Sequence, residues 1–259
     1  VAAPQYTLEV RGKAQEIRDR FGLGVDAISD IFHFLEEQGI LVARRPMGED
    51  GPDGIYAKHN EDVLIAINNS RTLGRQRFTA AHEYAHHLFD NDGLTIDHDI
   101  FDAATIAEKR ANAFAAHLLM PESGVRSVLG IYDSPRQLTP HDVVHLQRHF
   151  GVSYQAALYH ILNLGVISKR TREEWVTLKP RKLALEIGYF DVYEDADKSI
   201  KHLPAAFVKR AIKAYEQADI SLNKLAELLE KDPSELHAFL VDRGISQKEP
   251  SILEGADDV

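Results

Sequence analysis

The sequence predicts an α+β fold: a small sheet packed on helices that carry a His-Glu-x-x-His site, followed by a mainly helical second half. Three observations predict it. Short apolar runs of strand length gather between residues 40 and 67. From residue 73 onward apolar positions recur at the 3.6-residue period of a helix instead. One of those helical stretches, Leu73 to Phe89, bears His82, Glu83 and His86 inside its apolar pattern (Phe78, Ala81, Ala85, Leu88, Phe89).

Element by element, residues 12 to 39 read as two helices. Ala14, Ile17 and Phe21 mark the first; Val25, Ile28, Ile31, Phe32 and Leu35 mark the second, and Gly39 stops it. Ile40 to Ala43 is a strand candidate. Residues 46 to 54 (PMGEDGPDG) are dense in turn formers and read as a loop. Ile55 to Lys58 and Val63 to Ile67 are two further strands, joined by the polar stretch His59 to Asp62. The Leu73–Phe89 helix is broken by Asn91-Asp92-Gly93, and residues 92 to 103 read as an acidic loop. A helix over Ala104 to Met120 ends at Pro121.

Residues 139 to 168 have helix–turn–helix proportions. Thr139 and Pro140 start one helix, Gly151-Val152-Ser153 turns, and Tyr154 to Leu164 follows. Residues 181 to 215 carry no decisive pattern. Residues 220 to 241 suggest two short helices, capped by Ser221 and by either Asp232 or Ser234, and the tail from Gln247 is polar. The expected organisation is a site-bearing domain over 1–130, a helix-turn-helix-like segment packed on it over 131–180, and an accessory, mostly helical region over 181–259.

Composition narrows the chemistry. The 259 residues are 44% hydrophobic and 27% charged, an ordinary globular balance. No run approaches the 18 or so apolar residues of a membrane helix. The start, Val1-Ala2-Ala3-Pro4, lacks a charged region followed by an apolar core, and it lacks an initiator Met. The expectation is therefore a trimmed or processed chain, without a signal peptide, in the cytoplasm. With no cysteine, any metal must be held by His, Asp or Glu. A formal net charge of −10 argues against bulk electrostatic binding to nucleic acid. The local exception is the basic run of Lys169, Arg170, Arg172, Lys179, Arg181 and Lys182.

On a helix, residues i and i+4 lie about 40° apart in projection, so His82 and His86 emerge on one face. Two nitrogens a turn apart can share one metal ion. Glu83 lies between them in angle; it cannot easily ligate the same ion and is placed as a general base. The plainer alternative is a surface helix with satisfied histidines. A third ligand is needed, and the following helix offers Glu108, with Asn112 one turn on as its polar neighbour. A solvated glutamate at a helix N-terminus explains Glu108 equally well on spacing alone. His98, Asp97 and Asp99 are competing ligands in the acidic loop. His87 points about 100° away from His86, and His117 falls on the face opposite Glu108. Tyr84 is either core or a polar neighbour of the site.

The stretch Arg75-Gln76-Arg77-Phe78-Thr79-Ala80-Ala81-His82-Glu83-Tyr84-Ala85-His86-His87-Leu88 resembles the signature of the ImmA/IrrE metallopeptidases, an Arg-x-x-Phe-Thr lead followed by His-Glu-x-x-His. Glu108-x-x-Ala111-Asn112-x-Phe114-Ala115-x-x-Leu118-Leu119-Met120-Pro121 resembles their second motif, whose leading Glu completes the metal site. The strand pair at 54–68 and the helical opening are similar too, so the likeness covers roughly residues 13 to 168. His117 stands where an acidic or apolar residue is more usual, and the region after about 180 matches weakly.

The resemblance implies a zincin-like endopeptidase. Zn2+ would sit on His82, His86 and Glu108, with Glu83 as the catalytic base; the same donors also bind Mn2+ or Fe2+. The implied substrate is a helix-turn-helix transcriptional repressor, cleaved to release stress, phage or mobile-element genes. Two rival readings stand beside it. One is a DNA-binding regulator using residues 139–168; against it, Tyr154 to Leu162 is mostly apolar and has no Arg or Lys to read bases. The Lys169–Lys182 flank keeps nucleic acid in view as an activator or regulator. The other is a metal-binding sensor or antitoxin-like partner that acts without proteolysis, with residues 205 to 245 as its partner-binding module.

Overall fold

The computed structural model describes residues 5–90, 93–97, 105–131, 136–189, 203–242 and 244–247, of which 5–7 and 97 by backbone alone. Two compact units divide the chain, Val1–His202 and Leu203–Val259.

The first unit opens with α1 (Gln5–Arg20) and α2 (Ile31–Glu37). The second helix starts later than its apolar spacing suggested. The cause is Arg18, which is fully buried on α1. Its guanidinium takes carbonyls of Leu23, Gly24 and Asp26, so these three residues spend their backbone acceptors on a side chain and not on a helix. Asp30 then caps α2, accepting from Phe32 N and His33 N at 2.9 and 3.1 Å.

Three of the four strands match the expected ones: β1 (Leu41–Arg45), β2 (Gly54–His59) and β3 (Asp62–Asn68). The fourth, β4 (Leu94–Asp97), falls inside the stretch expected to be an acidic loop. Its sheet runs β1-β3-β2-β4, with β1 parallel to β3 and the other pairs antiparallel. Side chains alternate as the pleat requires. Val42, Tyr56, Ile65 and Ile67 are buried on the core face, while Leu64, Leu94 and Ile96 are exposed.

Helix α3 (Leu73–Phe89) crosses that core face, and α4 (Ile106–Leu119) packs on α3 and on α1. Aromatic edges fill the crossing: Tyr84 and Phe114 lie 5.9 Å apart, Phe89 and Phe114 5.6 Å. Tyr84 is thereby a core residue. Two caps set the bounds of α4. Thr105 accepts from Glu108 N at 3.1 Å, and the helix stops at Met120 before Pro121. A short α5 (Glu122–Val128), not foreseen, follows.

The helix–turn–helix segment is α6 (Pro140–Phe150) and α7 (Tyr154–Asn163). Thr139 N donates to Asp142 Oδ2 at 2.7 Å, Pro140 opens the helix, and Gly151 ends it at φ +65°. The pair turns its apolar side into the main core; Val143, Leu146, Phe150, Ala157, Leu158 and Ile161 are buried there. The basic flank forms α8 (Lys169–Trp175) and α9 (Pro180–Glu186). From the region expected to be accessory, α9 packs on α6 and buries Leu183 and Ala184 in the first unit's core.

The second unit holds α10 (Ala205–Glu216), α11 (Leu222–Leu229) and α12 (Pro233–Asp242) around Tyr215, Leu225, Leu236 and Leu240. Ser221 caps α11 and Asp232, not Ser234, caps α12. Among the described residues no helix is long and apolar enough to cross a membrane.

Candidate metal centre

α3 is buried along almost its whole length, although Gln76, Arg77, Thr79, His82, Glu83 and His86 are polar. A buried polar helix must be held by partners. At its start, Arg71 Nε and Arg75 Nε donate to the two oxygens of the fully buried Asp53, at 2.6 and 2.9 Å. Arg77 donates to Ser29 O at 2.9 Å and to Ile28 O. The Asp53 clamp draws the loop before β2 onto α3. Gly54, the next residue, then passes so close that a Cβ there would stand 2.1 Å from Glu83 Oε1 and 2.5 Å from Thr79 Cγ2. Only glycine lets the strand approach the Glu83 carboxylate this way.

One turn spaces the two histidines, and their rings lie 4.9 Å apart. His86 Nδ1 is 2.7 Å from Asp90 Oδ2, and His82 Nδ1 is 2.9 Å from Asn112 Oδ1. Both oxygens are acceptors, so each Nδ1 carries the ring proton and each Nε2 presents a lone pair. The two Nε2 atoms face one another at 3.1 Å. Glu108 completes the triangle: Oε2 is 3.1 Å from His82 Nε2 and Oε1 is 3.6 Å from His86 Nε2.

Two lone pairs and a carboxylate converging at these distances repel one another unless a proton or a metal cation lies between them. A tetrahedral ion with ligands at about 2.0–2.2 Å spaces its donors by roughly 3.3–3.6 Å, within a few tenths of an ångström of these separations, the two to Glu108 being made by different carboxylate oxygens. This donor set fits a divalent metal. Among the described residues no other group of three His, Asp or Glu side chains comes together this closely.

His82, His86, Glu108 and Asn112 therefore come together, and Glu83, buried on the same helix as the histidines, lies against Gly54. Glu108 is also the third residue of α4, in its first turn, and its carboxylate faces the two histidines. His87 turns away and stacks on Tyr84 at 6.1 Å; burial lowers its pKa, and Lys58 adds to this. His117 pairs instead with His160, at 5.0 Å. His98 and Asp99 lie outside the described residues, as does the side chain of Asp97. Asp90 and Arg110 escaped the sequence reading. Asp90 stands four residues after His86, the spacing that would have found it. Arg110 has no such signal, because it reaches Asp90 from the other helix.

A His/His/Glu donor set on crossed helices beside a small mixed sheet defines a metallopeptidase-type domain. Residues 35–162 match the family model described as the IrrE N-terminal-like domain, Peptidase_M78, and through this domain the chain belongs to the ImmA/IrrE family. The chain is similar to the radiation response metalloprotease IrrE of Deinococcus deserti, 31% identical over 163 residues, which is 60% of this chain and 54% of that protein. It is also similar to the radiation response metalloprotease IrrE of Deinococcus radiodurans, 33% identical over 113 residues, 41% of this chain and 32% of the relative. The chain thus spans about half the length of the first relative and about a third of the second.

Proposed function

We propose that this chain is a zinc-dependent endopeptidase of the cytoplasm that cleaves a helix-turn-helix transcriptional repressor in a stress, phage or mobile-element response. The convergence of His82 Nε2, His86 Nε2 and the Glu108 carboxylate carries the reading. Manganese or iron would suit the same donors; two imidazoles with one carboxylate, leaving a position for water, is a donor set that catalytic zinc uses. Zinc bound there would supply a Lewis acid that acidifies water and polarises the scissile carbonyl.

The protein's own groups do the rest. Asn112 and Asp90 hold the imidazoles in the tautomer that presents Nε2. Glu83, enclosed under Gly54, accepts the proton of the attacking water and returns it to the leaving amide nitrogen. β4 supplies a place for an extended substrate segment. Lys58 N donates to Gly93 O at 2.8 Å, which fixes the ladder so that Thr95 and Asp97 pair inward with β2. The backbone groups of Leu94 and Ile96 then point outward, and Asp97 pairs with Gly54, the residue over Glu83. The radiation response named for both relatives supports a stress setting.

Elemental analysis tests this first. The parent should hold about one equivalent of zinc, lost or much weakened in His82→Ala, His86→Ala and Glu108→Ala; a folded parent that takes up no metal when zinc is added sinks the reading. Nucleic acid as an activator draws on the exposed Lys169, Arg170, Lys179, Arg181 and Lys182. A salt-dependent shift on DNA would support it, and no shift at low salt would count against it.

A further inference from the structure

The two histidines are backed unequally. His82 leans on a neutral amide, Asn112, whereas His86 leans on a carboxylate, Asp90. That carboxylate is divided. Its Oδ2 accepts from His86 Nδ1 at 2.7 Å, and its Oδ1 accepts from the Arg110 guanidinium. Asp90 is the residue that closes α3, and Arg110 stands two residues beyond Glu108 on α4. Arg110 is steadied by Phe89, whose ring lies 5.2 Å from the guanidinium carbon. All three groups are largely shielded, with side-chain exposures of 2% for His86, 15% for Asp90 and 23% for Arg110.

We propose that Arg110 is a positioning residue that limits the negative charge Asp90 lends to His86, and so sets how strongly His86 donates to the metal. A bare carboxylate on Nδ1–H pushes electron density through the imidazole and strengthens Nε2 as a ligand. A guanidinium on the other oxygen withdraws part of that charge. Arg110 therefore works against metal affinity while it fixes the geometry. The device keeps the ion an effective Lewis acid, since each added negative charge around a dication lowers its pull on substrate oxygen. It also ties α4 to α3 twice, once through Glu108 in front of the histidines and once through Arg110 behind them.

The inference rests on His86 as a ligand, and its test separates the two. Zinc affinity is measured by chelator competition on the parent, Asp90→Asn, Arg110→Gln and Arg110→Lys, each checked for fold by its melting temperature. The metal-free proteins are also read by imidazole nitrogen NMR. Asp90→Asn should bind zinc about 10–100-fold more weakly, because the carboxylate is gone. Arg110→Gln should bind it roughly tenfold more tightly, because Asp90 is left uncompensated. Arg110→Lys should fall close to the parent. In the metal-free proteins, Arg110→Gln should keep the proton on His86 Nδ1 and shift its resonance further from that of His82.

Arg110→Gln binding zinc as weakly as Asp90→Asn would overturn the proposal and leave Arg110 a purely structural clamp. An unchanged His86 resonance in Arg110→Gln would overturn it as well. A parent that binds no zinc defeats the proposed function, whereas the NMR of the metal-free protein still decides whether Arg110 acts on His86.

Discussion

Gly54 shows how narrow the tolerance at the site is. The methyl group of Gly54→Ala would have to occupy space 2.1 Å from a Glu83 carboxylate oxygen, so the carboxylate or the strand must move. The three proposed metal donors lie on α3 and α4, and the atoms nearest a Cβ at Gly54 belong to Glu83 and Thr79, so zinc content should stay at the parental level. Cleavage should fall by about a hundredfold, the usual effect of displacing a catalytic group by an ångström. Rate measurements on zinc-loaded protein check this, and a parental rate would show that Glu83 is not positioned by the strand. Glu83→Gln keeps the shape and removes the proposed base; it should retain zinc and lose cleavage by at least about a hundredfold. At this scale the sequence was legible where helical spacing puts two residues on one face, as with His82 and His86, and with Glu108 and Asn112, which both reach His82. Gly54 was not legible, because a turn-rich loop gives no sign of which glycine will lie under a helix from elsewhere in the chain.

β4 was hidden for a related reason. Four residues with only Leu94 and Ile96 apolar, in a stretch rich in acids, give too little period-two pattern to outweigh the charge around them. Pairing with β2 decides the conformation, and that pairing is long-range information. The longer elements α3, α4, α6 and α7 were readable because each repeats its apolar face several times and carries its own cap or stop. α2 was readable in existence but not in its start, which the buried Arg18 sets from α1. The edge position of β4 gives a prediction at this scale. Ile96→Pro removes an outward-facing N–H and leaves the hydrogen bonds to β2 in place, a substitution edge strands tolerate. Zinc content should be unchanged, and kcat/KM on a protein substrate should fall roughly tenfold, the worth of a backbone hydrogen bond to a bound strand. An unaffected kcat/KM would place the substrate away from β4.

Across the molecule, the helix that bears Glu108 is locked to the helix–turn–helix segment by a buried pair of histidines. His160 on α7 donates from Nε2 to Met120 O, at the C-terminus of α4, at 2.8 Å, and its ring meets that of His117 edge-on. The mostly apolar α7 had pointed to packing on the core over reading of DNA, and this contact is part of that packing. Burial pushes the His160 pKa down to about 3, and the neighbouring His117 adds to the shift. Burial also lowers His117 to about 4, where Arg11 lowers it further and Glu122 opposes. Both histidines are neutral in the folded protein at pH 5, while the unfolded chain binds protons on them from about pH 6.5 downward. The unfolded state then holds more protons, so stability is full above about pH 6.5 and is lost as pH falls toward 4 and 3. Between pH 7.5 and 5 the pair should remove on the order of 4 kcal/mol. Urea unfolding across that range should show the loss in the parent and a flatter profile in His117→Gln/His160→Gln, at a lower stability throughout. Parallel profiles would mean that the acid sensitivity lies elsewhere and that these two rings are protonated alike in both states.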